Sequence, residues 1–365
     1  MFKFLSNFWL HIMTLPAAKH IAYLDGWRGL AIICVLIGHF SRTPMLGWLG
    51  PFGVGIFFAL SGRLMSELLF IKRVNLADFF VRRASRVLPT FWLFIGTVAL
   101  STYSWTDWRV DKEELLATLV FLRTYLPSDT DIFSSSLPVG HIWSLNVEEH
   151  TYVWLALCAF LAREFRMPAQ WYLLGTYAVS VAFLAYYAGN PPGSATDGNL
   201  RTEVAAMGIL AAAILRCVPL PISKLQLLAG ILPIAACALS ALCFSMYAHK
   251  AAALWLSPLC LAFAVNYLHV LPNLVLRVMS ARWLRWFGCC SFSIYLWQQP
   301  FFVAVNEGKF DPVLALLASL GVGALSYYLF ENPVRHYLNR RWVQHTDMKV
   351  LEQKKREAKL VDVNS

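Results

Sequence analysis

Charged residues are scarce in this sequence of 365 residues. Asp, Glu, Lys and Arg make up 14% of the chain, whereas about a quarter of a typical soluble domain is charged. Hydrophobic residues make up 58%, and the mean hydropathy is +0.55. This balance excludes a water-soluble enzyme and predicts an all-α, polytopic integral membrane protein whose surroundings are the lipid bilayer.

Patterns typical of metal sites, disulfides and nucleic-acid binding are also lacking. The eight cysteines lie in apolar stretches and show neither CxxC nor Cys/His spacing, so we expect no disulfide framework and no bound metal. The formal net charge is +10, but the basic residues do not form one soluble stripe. We therefore expect no nucleic-acid partner.

About ten stretches are long and apolar enough to cross a bilayer. They cover roughly residues 23–40, 51–71, 87–103, 145–162, 170–188, 202–218, 225–247, 251–270, 286–305 and 312–330. The apolar piece 115–126 is too short to cross and is interrupted by Arg123, so we expect it to lie outside the membrane.

The distribution of basic residues predicts the orientation. With ten spans, most of the 31 Lys and Arg residues fall on the side of the two termini, which the positive-inside rule assigns to the cytoplasm. Residues 1–21 are expected to form an interfacial amphipathic segment, with a cleaved signal peptide as the alternative. Residues 22–335 would form the transmembrane domain and residues 336–365 a basic cytoplasmic tail.

The first span carries two ionisable residues, Arg28 and His39. Their separation by eleven helical steps brings them to nearly the same face, with a rise of roughly 16 Å between them. Ionisable groups at membrane depth are functional-site candidates. The alternative is that Arg28 extends to lipid headgroups while His39 hydrogen-bonds a neighbouring helix.

Glycines and one arginine mark the second span, GPFGVGIFFALSGRLM. The glycines weaken the helix around Ser61 and Arg63, and irregular backbone at membrane depth needs a protein-lined or water-lined cavity. A packing seam of small residues would explain the glycines but not Arg63.

An arginine cluster precedes the third span. Arg82, Arg83 and Arg86 are spaced three and four residues apart, so their guanidinium groups share a helical face and suit phosphate. Positive-inside topology alone would also supply arginines here.

The fourth span opens with HIWSLNVEEHTYVW, which places Glu148 near its outer end. A carboxylate there could orient the intramembrane histidine or raise its basicity. The alternative is that Glu148 and Glu149 begin a helix and interact with its dipole.

These separated motifs resemble the acyltransferase family 3 membrane proteins, which O-acylate sugars. The resemblance covers about residues 22–335. It depends on the order of six motifs: LDGWRGLAIICVLIGH, GVGIFFALSG at 53–62, RRASRVLP at 82–89, HIWSLNVEEHTY at 141–152, SFSIYLWQQP at 291–300 and ENPVR at 331–335.

The resemblance implies a ten-helix acyltransferase of the cell membrane, expected in the bacterial inner membrane. It would move an acyl group, usually acetyl, from cytoplasmic acyl-CoA to a carbohydrate hydroxyl such as that of a cell-surface polysaccharide. Arg28 and His39 match the essential pair, the arginine cluster matches the donor-associated region, and Glu148 matches the glutamate of the WSLxxE segment. Many members have YLWHxP where this chain has YLWQQP, so Gln298 replaces a histidine.

Together these observations predict a mechanism. Arg82, Arg83, Arg86 and Arg28 would bind the CoA phosphates, and Glu148 would support the catalytic imidazole of His39. Arg63, or backbone N–H groups around Ser61, would stabilise the oxyanion near the bound donor.

Two other functions stay open at this stage. A polysaccharide or small-molecule transporter would also explain charges at membrane depth and an irregular second helix. A membrane-bound O-acyltransferase of the lipid- or protein-modifying kind would share the chemistry, but the chain shows no convincing Asn-plus-His pairing of that family.

Overall fold

The structure, a computed structural model, describes residues 21–105, 110–128, 131–133, 136–190, 192, 198–221, 230–245 and 250–344. Within these ranges every regular element is helical, which confirms the all-α prediction. The expected interfacial segment before residue 21 and the tail beyond residue 344 lie outside the described residues.

Thirteen α-helices follow one another within the described ranges. They are α1 Ala22–Phe40, α2 Leu49–Ser66, α3 Leu76–Trp105, α4 Lys112–Leu119, α5 Trp143–Glu164, α6 Ala169–Gly189, α7 Thr202–Ala205, α8 Met207–Cys217, α9 Leu232–Phe244, α10 Lys250–Asn266, α11 Asn273–Met279, α12 Arg282–Asn306 and α13 Pro312–Ser326.

Five helical segments in the described chain are long and apolar enough to cross a membrane. They are Ala22–Phe40, Pro44–Ile71, Leu76–Tyr103, Ala169–Gly189 and Pro312–Gln344. The other predicted spans also fall on helices, but the sixth is divided into α7 and α8, and α9 has only 13 residues. A multi-pass membrane protein is therefore supported, whereas the count of ten and the cytoplasmic termini stay predictions.

Helix α1 lies between α2 and α12, and glycines set how closely it packs on each side. A Cβ at Gly38 would lie 2.4 Å from the backbone nitrogen of Gly50 in α2. A Cβ at Gly288 in α12 would lie 1.9 Å from the carbonyl oxygen of Asp25. Both distances are impossible for real atoms, so the absence of a side chain is what allows these backbones to meet. The core of the bundle forms around these contacts.

Helix α3 begins earlier than predicted, and α13 ends later. α3 begins at Leu76, eleven residues before the predicted span, and α13 continues through a π-helical turn, Tyr327–Glu331, to Gln344. Trp342 donates to Asp78 at 2.7 Å, and Ser85 donates to Asn339 at 2.9 Å. The first residues assigned to a solvated tail therefore pack on α3, because these hydrogen bonds hold the two helix extensions together.

The segment between α3 and α5 is held by a buried ion pair. α4 is only eight residues long, in agreement with the prediction that this region does not cross. Arg123, which is 0% exposed, donates to Glu114 at 2.8 Å. Burial raises the pKa of Tyr125 to about 12, and its protonated hydroxyl donates to Glu203 at 2.5 Å. The ion pair holds the described part of the segment together, and the hydrogen bond of Tyr125 ties it to α7.

Candidate functional site

A cavity of about 80 Å³ lies where five helices meet, α1, α2, α3, α5 and α12. Five of the predicted site residues line it together: Arg28, Ser61, Arg83, Arg86 and Glu148. Aromatic side chains, including Phe57 and Tyr295, form much of the remaining wall. The volume is that of a few water molecules at about 30 Å³ each, so the cavity has room for one small group. The structure therefore brings together most of the charged residues that the sequence singled out.

The positive charge of Arg83 is compensated by two carboxylates. Its guanidinium lies 3.0 Å from Glu148 and 2.8 Å from Glu149. The same group stacks over the ring of Tyr152, with its central carbon 4.1 Å from the ring centroid. Two carboxylates and an aromatic face are strong partners for a buried guanidinium. Arg83 consequently holds α3 against α5.

Glu148 lies in a hydrogen-bond network that joins three helices of the cavity. α5 begins at Trp143, so Glu148 lies beyond the first turn and does not start the helix. Its carboxylate accepts hydrogen bonds from Ser61 and Tyr152, both at 2.9 Å, as well as from Arg83. These three donors engage the carboxylate, and its support of the His39 imidazole stays a prediction.

Arg28 and Arg86 form a pair of like charges in the same cavity. Both guanidinium groups line the cavity, and Asp25, one turn earlier on α1, attracts Arg28. In the described part of the chain, neither guanidinium forms an ion pair with a carboxylate. Glu331, which is 2% exposed and accepts from Ser293 at 2.6 Å, attracts both from farther away. Neighbouring guanidinium groups with incomplete compensation form a site for an anion.

His39 lies outside this cavity, near the other end of α1. Its Nδ1 is 2.7 Å from Oε1 of Gln298, and its ring stacks on Phe302 with centroids 4.2 Å apart. Gln298 is 0% exposed, and its amide nitrogen faces Oε1 of Gln299 at 3.3 Å. Since the amide oxygen of Gln298 can only accept, Nδ1 of His39 carries the proton and Nε2 has a free lone pair. A Cβ on Gly50 would lie 3.5 Å from that Nε2.

Helix α12 connects the cavity with His39. Tyr295 lines the cavity, and Gln298 follows three positions later on the same face of the helix. Tyr295 donates to the carbonyl oxygen of His141 at 2.8 Å and lies 2.6 Å from the hydroxyl of Ser144. The cavity therefore ends about one helical turn from Gln298, the residue that holds the imidazole of His39.

Two predicted donor-binding residues lie away from this cavity. Arg82 is exposed and does not line the cavity, although Arg83 and Arg86 do. Arg63 is 8% exposed and does not line the cavity. A role for either side chain in donor binding or in oxyanion stabilisation stays a prediction.

Sequence reasoning missed three residues of the site. Tyr152, Tyr295 and Glu331 each contact or face one of the charged groups. All three fall inside motifs that carry the family resemblance, so the motifs could have indicated them as candidates. A motif alone does not show which of its side chains point into the site.

Comparison with known proteins gives the family. The sequence profile described as an acyltransferase domain matches residues 21–331. Peptidoglycan O-acetyltransferase OatA of Listeria monocytogenes is 24% identical over 361 residues, which are 88% of this chain and 57% of OatA. YrhL of Bacillus subtilis, whose name assigns it provisionally as a peptidoglycan O-acetyltransferase, is 27% identical over 368 residues, with 87% of this chain and 55% of YrhL covered.

This chain thus spans little more than half the length of these two curated relatives. No solved structure matches it. The profile match covers most of the chain and includes every motif of the predicted transmembrane domain up to Glu331. The chain belongs to acyltransferase family 3.

Proposed function

We propose that this protein is an integral membrane O-acyltransferase that moves an acyl group, usually acetyl, from acyl-CoA to a hydroxyl of a carbohydrate. The observation that carries the proposal is the relation of two groups of residues. Arg28 of α1 and Arg86 of α3 are incompletely compensated guanidinium groups in one cavity. Farther along α1, the imidazole of His39 is held in one tautomer. Family membership supports the same chemistry.

The donor binds on the side of the termini. Arg28 and Arg86 suit the phosphates of CoA, because each guanidinium can donate two parallel hydrogen bonds to anionic oxygens. The thioester lies at the end of the pantetheine arm that is remote from the phosphates. An arm extended along α12 from the cavity therefore carries the thioester toward His39.

The transfer step uses the free nitrogen of the imidazole. Nε2 of His39 takes the proton of the acceptor hydroxyl as its oxygen attacks the thioester carbonyl. The carbon–sulfur bond then breaks, and the imidazolium returns the proton to the departing CoA thiolate. Gln298 supports both steps, since its amide oxygen accepts from Nδ1–H and stabilises the positive charge that develops on the ring.

An acyl-histidine intermediate is the competing chemistry for the same residue. In that case Nε2 attacks the thioester before the acceptor arrives. Incubation with radiolabelled acetyl-CoA in the absence of acceptor separates the two routes, because only the second leaves label on the protein.

The acceptor is a polysaccharide of the cell surface, and peptidoglycan is the first to test because the two relatives are named for it. The donor would come from the cytoplasm and the acceptor from the opposite face. Such a reaction would occur in the cytoplasmic, or inner, membrane of a bacterium.

The decisive experiment measures free CoA thiol. The full chain, reconstituted in liposomes, is given acetyl-CoA with and without peptidoglycan glycan strands. We expect thiol release that depends on the acceptor, and O-acetyl esters on the glycan detectable by mass spectrometry. Uptake of glycan without thiol release would instead favour a transporter.

The variant His39→Ala tests the assigned base. Loss of general base catalysis lowers the rate by about 10²–10⁴-fold, while the protein should still insert in the membrane. His336→Ala is the matched control, because the ring of His336 bonds only the backbone of its own helix among the contacts described. Full activity in His39→Ala would reject the mechanism.

A further inference from the structure

A second cavity with basic residues lies apart from the site described above. It has a volume of about 410 Å³ and occurs where the end of α2 meets the connection between α5 and α6. Arg73, Arg163 and Arg166 line it, and none of its described lining residues is acidic. Three positive charges thus face one space with no carboxylate in its wall.

Arg163 fixes the floor of this cavity. Its Nη2 donates to the carbonyl oxygens of Leu69 at 2.8 Å and Val74 at 3.2 Å. These carbonyls belong to the π-helical turn Glu67–Ile71 and to the loop after it. The Nε of Arg163 is buried and has no hydrogen-bond partner in the described part of the chain. The side chain is therefore fixed by backbone groups, which leave its positive charge uncompensated.

Arg73 and Arg166 share an uncommon backbone conformation. Their φ angles are 49° and 51°, in the left-handed region, and only one other described non-glycine residue, Phe121, has a positive φ. Glycine or asparagine adopts this region at a lower cost in free energy than arginine does. Strained backbone of this kind occurs preferentially at functional sites. Both side chains are exposed and line the cavity together with Arg163.

Apolar side chains beside the cavity are directed outward. Phe165 is 64% exposed, Ile71 50% and Met167 49%. Exposed apolar residues next to arginines are typical of the boundary between the hydrocarbon and headgroup layers. The site consequently faces lipid as well as water.

We infer that Arg73, Arg163 and Arg166 bind the phosphate of an anionic phospholipid at this boundary. The guanidinium groups of Arg73 and Arg166 contact the phosphate oxygens, and Arg163 supplies a fixed charge behind them. The acyl chains lie against Phe165 and Met167. A free phosphate would meet the same guanidinium groups but would gain nothing from the apolar neighbours.

The test is native mass spectrometry of the full chain in detergent. The protein is titrated with phosphatidylglycerol and, in parallel, with phosphatidylcholine that has the same acyl chains. The variant Arg73→Gln with Arg166→Gln removes two charges but keeps Arg163, whose backbone contacts the fold needs. The matched control is Arg277→Gln with Arg282→Gln, which removes two exposed arginines elsewhere.

We expect one phosphatidylglycerol to bind most tightly. The first double variant should weaken this binding by about thirtyfold, since it removes two arginines that each contribute about 1 kcal/mol at a membrane surface. The control should bind it as the unaltered protein does. Equal retention in both double variants, or equal binding of phosphatidylcholine, would overturn the inference. Displacement of the lipid by inorganic phosphate at the same concentration would show a free-phosphate site and overturn the assignment to lipid.

Discussion

Oε1 of Gln298 lies 2.7 Å from Nδ1 of His39, although 259 positions separate the two residues in the chain. A buried amide oxygen that can only accept defines which nitrogen of the ring holds the proton. The position that is a histidine in many family members is thus occupied by a residue that cannot exchange protons. The proposed mechanism assigns both proton transfers to the imidazole of His39.

Replacement of Gln298 by Leu should impair catalysis without unfolding the protein. The rate constant kcat should fall by about tenfold to a hundredfold, the effect of losing one hydrogen bond to a charged group. Steady-state kinetics with acetyl-CoA and glycan strands provide the measurement. Gln170→Leu, the same change in the first turn of α6, should leave kcat unaltered; equal losses in the two variants would show that the effect is not specific to His39.

Arg86→Gln should weaken donor binding more than the chemical step. We expect KM for acetyl-CoA to rise about tenfold while kcat changes little, because a phosphate contact is made in both the ground state and the transition state. Arg82→Gln is the comparison, since Arg82 is exposed and does not line the cavity. An equal rise in KM in Arg82→Gln would show that Arg82 also contributes to donor binding.

Arg83→Met should lower stability more than Glu148→Gln does. The first change leaves two partly buried carboxylates without their cation and should cost about 3 kcal/mol. The second removes one charge, while Glu149 stays paired with Arg83, and should cost about 1–2 kcal/mol. Thermal unfolding of the detergent-purified variants gives the order. The reverse order would mean that Arg83 is engaged less by these carboxylates than the structure indicates.

Gly38→Ala should push α1 away from α2. The added Cβ would lie 2.4 Å from the backbone nitrogen of Gly50, and relieving such a clash should cost about 2 kcal/mol. Because His39 is the next residue, activity should fall as well as the unfolding temperature. Gly175→Ala is the control, since a Cβ there meets nothing within 4 Å; a similar loss in both variants would argue against the close approach of the two helices.

Much of this arrangement could be predicted from the sequence. The apolar stretches located most helices, and the spacing of Arg28 and His39 indicated that both belong to one face. The clustering of arginines near residue 83 correctly anticipated that charges from α1 and α3 meet, because helical periodicity is a local property that a sequence displays directly.

The pairing of side chains between distant helices could not be predicted in the same way. Glu148 was expected to support His39. In the structure its carboxylate accepts a hydrogen bond from Arg83, and Gln298 is the residue that contacts the imidazole. Arg63 and Arg82 have the same chemistry as Arg86 but lie elsewhere. Which side chains meet depends on how each helix is rotated and on close contacts such as that of Gly38 with Gly50. A hydropathy pattern does not encode either of these.

Tyr295 and Gln298 belong to one uninterrupted segment of α12, so they move as parts of the same rigid rod. An occupant that shifts this segment of α12 would also shift the amide that holds the imidazole. Binding of the donor and positioning of the catalytic imidazole would then be coupled. Kinetically, this favours an obligatory order in which the thioester enters first and the sugar second.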